Sequence, residues 1–266
     1  MTIVLITGAD RGLGLAMVKA LSSSTNEYTL LLSAKSFPDA AQAARDVQEE
    51  FPAANDRIIP YEIDVTSDDS IHAAALAIER THGRIDTLIN NAGVLLDFAR
   101  DAGQVTMREA WAGSWDVNVV GAQVMTTVFV PLLLRSSNPR LLFVSSGTSS
   151  LGGTETASPG NTSPPPGWPK PIKANGDTPA YRASKSGLNM MMREWHRMLS
   201  NDGVKVWAVS PGFLATELGG ASAESKKKFG AKDPALGGEL VRDVLDGKRD
   251  ADAGRVVTAE GGVQEW

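Results

Sequence analysis

The sequence predicts an α/β protein: a doubly wound parallel sheet with helices on both faces, forming a single domain over residues 1–266. Three observations carry this. Apolar runs alternate with helical patterns along the whole chain. The runs are apolar throughout, as strands covered on both faces must be. The first run passes through a glycine-rich turn directly into a helix.

Taken in order, TIVLI (2–6) reads as a strand and 14–23 as a helix. YTLLLSA (28–34) is a strand, 39–51 a helix, and 57–63 a strand that Pro60 weakens. The segment 68–80 is a helix with acidic residues in its first turn, where the helix dipole favours them. DTLIN (86–90) is a strand, and one long helical stretch covers 104–134. RLLFVSS (140–146) is a strand, 180–200 a strongly amphipathic helix, 204–210 a strand, 232–246 a helix and 254–259 the last strand. Half of the 14 prolines fall in 159–179, so 147–179 reads as a long irregular insertion, a candidate lid.

Composition narrows the function classes. A net charge of −5 argues against a nucleic-acid surface, and Lys226-Lys227-Lys228 reads as a solvated helix face. With no cysteine, disulfides, thiolate metal sites and thiol nucleophiles drop out. His72, His82 and His196 are too scattered to form a metal site. No apolar run approaches the ~18 residues of a membrane span. The first strand begins at Thr2, leaving no room for a leader, so the expected compartment is the cytoplasm.

TGADRGLG (7–14) sits where such a sheet presents amide groups and a positive helix end to a pyrophosphate. Gly8, Asp10, Arg11, Gly12, Leu13 and Gly14 are the expected cofactor-binding residues of this turn. An NAD site places an acid at the end of the second strand, to accept from the ribose 2′-hydroxyl. Here that strand runs into Lys35, and no acid appears before Asp39. Arg11 and Lys35 are therefore expected to meet over the adenine ribose and to select the 2′-phosphate of NADP(H).

Further along, NNAG (90–93) follows the fourth strand, Asn118 lies within the long helical stretch, and Ser145-Ser146 end the fifth strand. Tyr181 and Lys185 share one face of a helix at i, i+4. Reducing a carbonyl needs a hydride at carbon and a proton at oxygen. A free phenol, of pKa about 10, exchanges its proton poorly near neutrality, and a neighbouring ammonium would favour its ionised form. A serine hydroxyl can hold the carbonyl oxygen while charge develops on it.

This ordered set of motifs resembles the short-chain dehydrogenase/reductase family, in its standard single-domain, carbonyl-reductase-like form. The resemblance rests on TGADRGLG, Asp64-Val65, NNAG, Asn118 in VNVVG, Ser146, YRASK (181–185) and Pro211-Gly212 followed by Thr216. It implies a Rossmann fold and a catalytic set of Asn118, Ser146, Tyr181 and Lys185. It further implies that Asp64 and Val65 receive the adenine, that Asn90, Ala92 and Gly93 line the adenosine side, and that Leu214 and Thr216 contact the carboxamide. Lys185 would bind the nicotinamide ribose and depress the Tyr181 pKa, and Asn118 would hold a relay water. The basic residue before the middle glycine is a family mark of NADP preference.

Two departures stand out. Ser146 and Tyr181 are 35 positions apart, longer than the family's usual gap, and the excess holds Trp168. The insertion is expected to wall the substrate pocket, together with Gly147, Leu151, Trp168, Phe213 and Phe98. It also leaves the assembly open between monomer, homodimer and homotetramer. The stretch after Thr216 is short and glycine-rich, which suggests a mobile flap over a rather open pocket. The expected activity is hydride transfer between NADP(H) and a carbonyl/alcohol pair, with a hydrophobic ketone or aldehyde as substrate. The alternative is an NADP(H)-binding sensor with little turnover.

Overall fold

The computed structural model describes residues 1–156, 161–170 and 177–266. Seven strands form one parallel sheet in the order β3-β2-β1-β4-β5-β6-β7. They are β1 (Thr2–Ile6), β2 (Tyr28–Ala34), β3 (Ile58–Glu62), β4 (Thr87–Asn90), β5 (Arg140–Val144), β6 (Lys205–Ser210) and β7 (Val256–Thr258). The chain order reverses between β1 and β4, which opens a crevice at the carboxyl ends of the strands. Pro60 is tolerated because β3 lies at the sheet edge, where no further ladder needs its missing N–H.

Side-chain alternation divides the core into two layers. Val4 and Ile6 face one side, where α1 (Gly12–Ser22), α2 (Phe37–Glu50) and α9 (Ala235–Leu245) supply Met17, Val47 and Val241. Ile3 and Leu5 face the other, where α3 (Asp68–His82), α6 (Ala122–Leu133) and α7 (Pro179–Leu199) supply Ile71, Phe129 and Met192. Helices α1 and α9 approach closely through Gly238, where a Cβ would lie 2.5 Å from the Ala16 carbonyl oxygen.

The single helix expected over 104–134 is more articulated. A short helix α4 (Asp97–Asp101) precedes it, α5 spans Met107–Trp115, and a π-helical turn, Asp116–Gly121, joins α5 to α6. The reason for α5 starting where it does is local: Thr106 and Glu109 form a reciprocal capping box. The run Met107–Leu133 is long and apolar enough by length and composition to cross a membrane, which corrects the expectation that no such run exists. In this fold it lies against the sheet, with Met125, Phe129 and Leu133 in the core.

Three further expectations need correction. Strand β5 ends at Val144, so Ser145 and Ser146 lie beyond it, at the crevice. Lys226 is not part of a solvated face: it is buried at the end of α8 (Ala223–Lys227), its ammonium on the Leu218 carbonyl. Trp168 is 88% exposed and so is not a pocket wall. Residues 157–160 and 171–176 of the expected lid lie outside the described residues.

Candidate active site

The parallel strands bring Thr7, Lys35, Asn91, Ser146 and Pro211 to one edge of the sheet. The glycine turn is shaped by contact as well as by dihedral angle. Gly8 and Gly12 have φ of 60° and 55°, and a Cβ on Gly8 would press on Ala92 Cα at 3.0 Å. A Cβ on Gly14 would fall onto the Gly8 carbonyl oxygen and lie 2.6 Å from Asn91 Nδ2. Arg11 stands at the N-cap of α1 in an extended conformation and makes no side-chain cap bond. By contrast, serines 36 and 67 cap α2 and α3. The amide end of α1 is thus left without a side-chain cap, as an anion site requires.

The turn is tied to β4 by residues the motif reading passed over. Thr7 Oγ1 accepts from the amides of Asn91 and Ala92 at 2.9 and 3.0 Å. Asn91 Nδ2 donates to the carbonyls of Thr7 and Gly8 at 2.8 and 2.9 Å. Asn90, by contrast, turns its side chain inward and donates to Thr126 Oγ1 at 3.0 Å, away from the crevice. Asn91 was legible as the second residue of NNAG; only the choice between the two asparagines needed coordinates.

Beside the glycine turn and beyond β2 the cations are already paired. Lys35 Nζ lies 3.1 Å from Asp64 Oδ2, and Arg11 Nε lies 3.9 Å from Asp10 Oδ2. The Lys35 and Arg11 side chains are 78% and 79% exposed, so both are free to swing. Partial burial works to raise the Asp64 pKa, but hydrogen bonds from the Thr66 amide and hydroxyl, together with Lys35, leave it below the usual carboxylate value. Val65 packs under the π-helical turn, where a Cβ on Gly121 would lie 2.6 Å from its carbonyl oxygen.

The reactive side chains converge on the β4 and β5 ends. Lys185, 3% exposed, donates to the Val144 carbonyl at 2.7 Å, and its Nζ lies 5.7 Å from the Tyr181 ring centroid. Asn118 Oδ1 accepts from the Val94 amide at 2.8 Å, while its Nδ2 donates to the Val94 carbonyl and to Ser184 Oγ, each at 2.9 Å. A Cβ on Gly93 would lie 3.1 Å from Asn118 Oδ1 and 3.5 Å from Lys185 Nζ, so glycine keeps a space open between them.

Of the two serines, Ser145 is buried and donates to Asn189 Oδ1 at 2.6 Å. Ser146 faces the crevice, bonds Thr148 Oγ1 at 2.9 Å and reaches the Tyr181 phenol. Burial pushes the phenol up to about 12, although the Ser146 hydroxyl works to lower it. Burial also brings Lys185 down to about 8. Burial therefore works against the acidity expected of Tyr181, while the Lys185 ammonium lies toward its ring.

The loop after β6 lies on the far side. Leu214 pairs with Lys232 in an isolated bridge, and a Cβ on Gly12 would touch Thr216 at 3.4 Å. A Cβ on Gly219 would lie 2.9 Å from the Phe98 ring and 3.3 Å from Leu95. Leu13 and Leu214 pack together on Gly237 of α9. Beside the serine loop, a cleft of about 580 Å³ is walled by Thr148, Leu151, Asn161, Pro164, Pro179 and Arg182. Leu151, 68% exposed, lines this cleft. Phe213 is largely exposed, as is Gly147 beyond the serine pair.

A family model described as short chain dehydrogenase matches residues 2–158 and 172–227. The chain belongs to the short-chain dehydrogenase/reductase family. It is 44% identical over 265 residues to the short-chain dehydrogenase/reductase tropE of Talaromyces stipitatus, covering 99% of this chain and 97% of the other. It is 46% identical over 260 residues to the short-chain dehydrogenase/reductase eupG of a Phoma species, covering 93% and 91%. Among solved structures, an NADPH-bound carbonyl reductase from chicken fatty liver has the same fold, with a TM-score of 0.79, 23% identity and full coverage of both chains.

Proposed function

We propose that this oxidoreductase is an NADPH-dependent carbonyl reductase acting on a small, hydrophobic ketone or aldehyde. The observation that carries the reading is the space kept by Gly93, bounded by Asn118 and Lys185, beside a glycine cradle that ends in an uncapped helix. The cradle fits a dinucleotide: side chains are excluded at Gly8 and Gly14, where the phosphates would approach the main chain. A solved relative of the same fold is NADPH-bound.

The 2′-phosphate falls to Arg11 and Lys35. When Lys35 swings to that phosphate it releases Asp64 Oδ2, which is then able to accept from the adenine amino group. One event thus arranges both ends of the adenosine. Ala92 and Gly93 line this side through their main chain, and Leu214 and Thr216 face the carboxamide. The side chain of Asn90 takes no part, being turned to Thr126.

Reduced nicotinamide supplies the hydride when bound. Tyr181 gives its proton to the carbonyl oxygen, and Ser146 donates a hydrogen bond to that oxygen as charge develops. Burial keeps the phenol protonated near neutrality, the state in which it can donate to the carbonyl oxygen. Lys185 holds the nicotinamide ribose and returns a proton to Tyr181. The Asn118 side chain is spent on Val94 and Ser184, so a relay water is held by its main chain.

The substrate enters beside Ser146. The reading of the insertion as a substrate wall is supported by the cleft that Leu151, Asn161 and Pro164 share with Thr148, two residues beyond Ser146. Screening ketones and aldehydes by loss of NADPH absorbance tests the reading. Turnover on apolar carbonyls is expected, and tight NADPH binding without turnover on any carbonyl or alcohol would favour a sensor instead.

A further inference from the structure

We propose that Asp97 is a positioning residue for Tyr181, fixing the phenol through the first turn of α7. The proposal rests on the reading of Tyr181 as proton donor. The Asp97 side chain is fully buried, at 0% exposure. Its Oδ1 accepts from the Ala180 amide and its Oδ2 from the Tyr181 amide, each at 3.0 Å. Thr178, the residue at the N-cap of α7, makes no side-chain cap bond. The catalytic helix is therefore capped from α4, 84 positions away, and at the amide of the reactive residue itself.

The carboxylate is held in turn. Arg100 NH1 lies 3.2 Å from Asp97 Oδ1, and Arg100 also pairs with Asp101 at 2.5 Å and donates to the Asp177 carbonyl at 3.3 Å. The segment from Gly93 to Asp97 is thus fastened at two points, by Asn118 at Val94 and by Tyr181 and Ala180 at Asp97. Four residues on from the space kept by Gly93, the same chain sets the height of the phenol over it. The next residue, Phe98, meets Gly219 of the flap, so α4 touches both the flap and the proton donor.

A cap that served stability alone would be met equally well by a local serine or aspartate. A buried carboxylate that accepts from two successive amides and is itself held by an arginine fixes the first turn at two points, and a charged acceptor strengthens each bond. A misplacement of about 1 Å at a reacting group costs up to ~100-fold in rate. The ionisable groups around this end of α7 are Asp97, Arg100 and Asp101 on α4, Asp177 just before the helix, and Tyr181, Arg182 and Lys185 on α7 itself.

The test compares Asp97→Asn and Asp97→Ala with the unmodified protein and with Tyr181→Phe. Rates are measured for NADPH-dependent reduction of 4-nitrobenzaldehyde. Affinity for NADPH is read by fluorescence, and the three tyrosines by ¹³Cζ NMR. Asp97→Asn is expected to bind NADPH within about twofold and to lose about tenfold or more in kcat, with KM for NADPH held. The Tyr181 resonance should move while those of Tyr28 and Tyr61 stay. If kcat and the Tyr181 resonance are both unchanged and only the melting temperature falls, the proposal is overturned. Should Asp97→Ala not fold, Asp97→Asn carries the test. If the unmodified protein reduces nothing, the reductase reading fails by itself. The resonance then decides Asp97: moved it supports the positioning role, unmoved it refutes it.

Discussion

Asn118 pairs its side-chain amide with both main-chain groups of Val94, accepting at 2.8 Å and donating at 2.9 Å. One side chain in a π-helical turn thus completes the backbone of the loop that follows β4. Asn118→Leu leaves two polar groups of Val94 unmet, at about 1–3 kcal/mol each if they stay dry. The expected result is a melting temperature lower by several degrees, with loss of nearly all reductase activity. Thermal unfolding and rate measured on the same sample check this. An unaltered rate would detach Asn118 from the site.

The glycine cradle makes a sharper prediction. Gly14→Ala drives a methyl group against the Gly8 carbonyl and Asn91. Overpacking of this kind costs about 1–3 kcal/mol, and here it also displaces the amides of the turn proposed to bind the phosphates. NADPH affinity should fall more than tenfold while the sheet stays folded, as titration and circular dichroism would record.

Lys185 sits at odds with its own stability. Burial lowers it from the ordinary 10.5 to about 8, a gross penalty on the order of 3 kcal/mol at neutral pH. Between about pH 8 and 10.5 the unfolded chain binds more protons than the folded one at this site. Its contribution to stability therefore rises with pH across that window. Reductive turnover should fall as pH rises through about 8, where the ammonium loses its proton. Lys185→Met should abolish turnover yet unfold at no lower temperature near pH 7, because the lost bond to Val144 is offset by relief of the buried charge. Equal turnover at pH 7 and 10 would contradict this.

Cofactor choice separates the two cations. Arg11→Ala and Lys35→Ala should each weaken NADPH by about tenfold, the order of one charge-assisted phosphate contact, and barely change NADH. Lys35→Ala should in addition disturb Asp64, its partner at 3.1 Å. Titration of each variant with both cofactors checks this, and equal affinity of the unmodified protein for the two would reject the assignment.

The sheet was legible because its strands are apolar on both faces and spaced by periodic helices. The strand around Pro60 forms because an edge position asks nothing of the missing N–H. Tyr181, Lys185 and Ser146 were legible as types at strand ends and on one helix face. What escaped was set by packing across the chain. No local pattern shows that Asn118 lies in a π-helical turn, because that turn answers to Val94, 24 positions away. Asp97 looks like any loop acid until α7 is laid over it, and Asn90 and Asn91 differ only in which one faces the core. Lys226 reads as one of three solvated lysines until the flap folds under it. For the phenol too, neighbouring charge is visible in a sequence and the depth of burial is not.

The central claim is that the Tyr181 phenol delivers the proton that completes carbonyl reduction. Tyr181→Phe keeps the ring and removes only the hydroxyl, so it isolates that step. With NADPH and a panel of aromatic and aliphatic carbonyls, the account predicts at least a ~100-fold loss of kcat, with NADPH affinity within about twofold of the unmodified protein. Reduction that persists at the unmodified rate in Tyr181→Phe would contradict it.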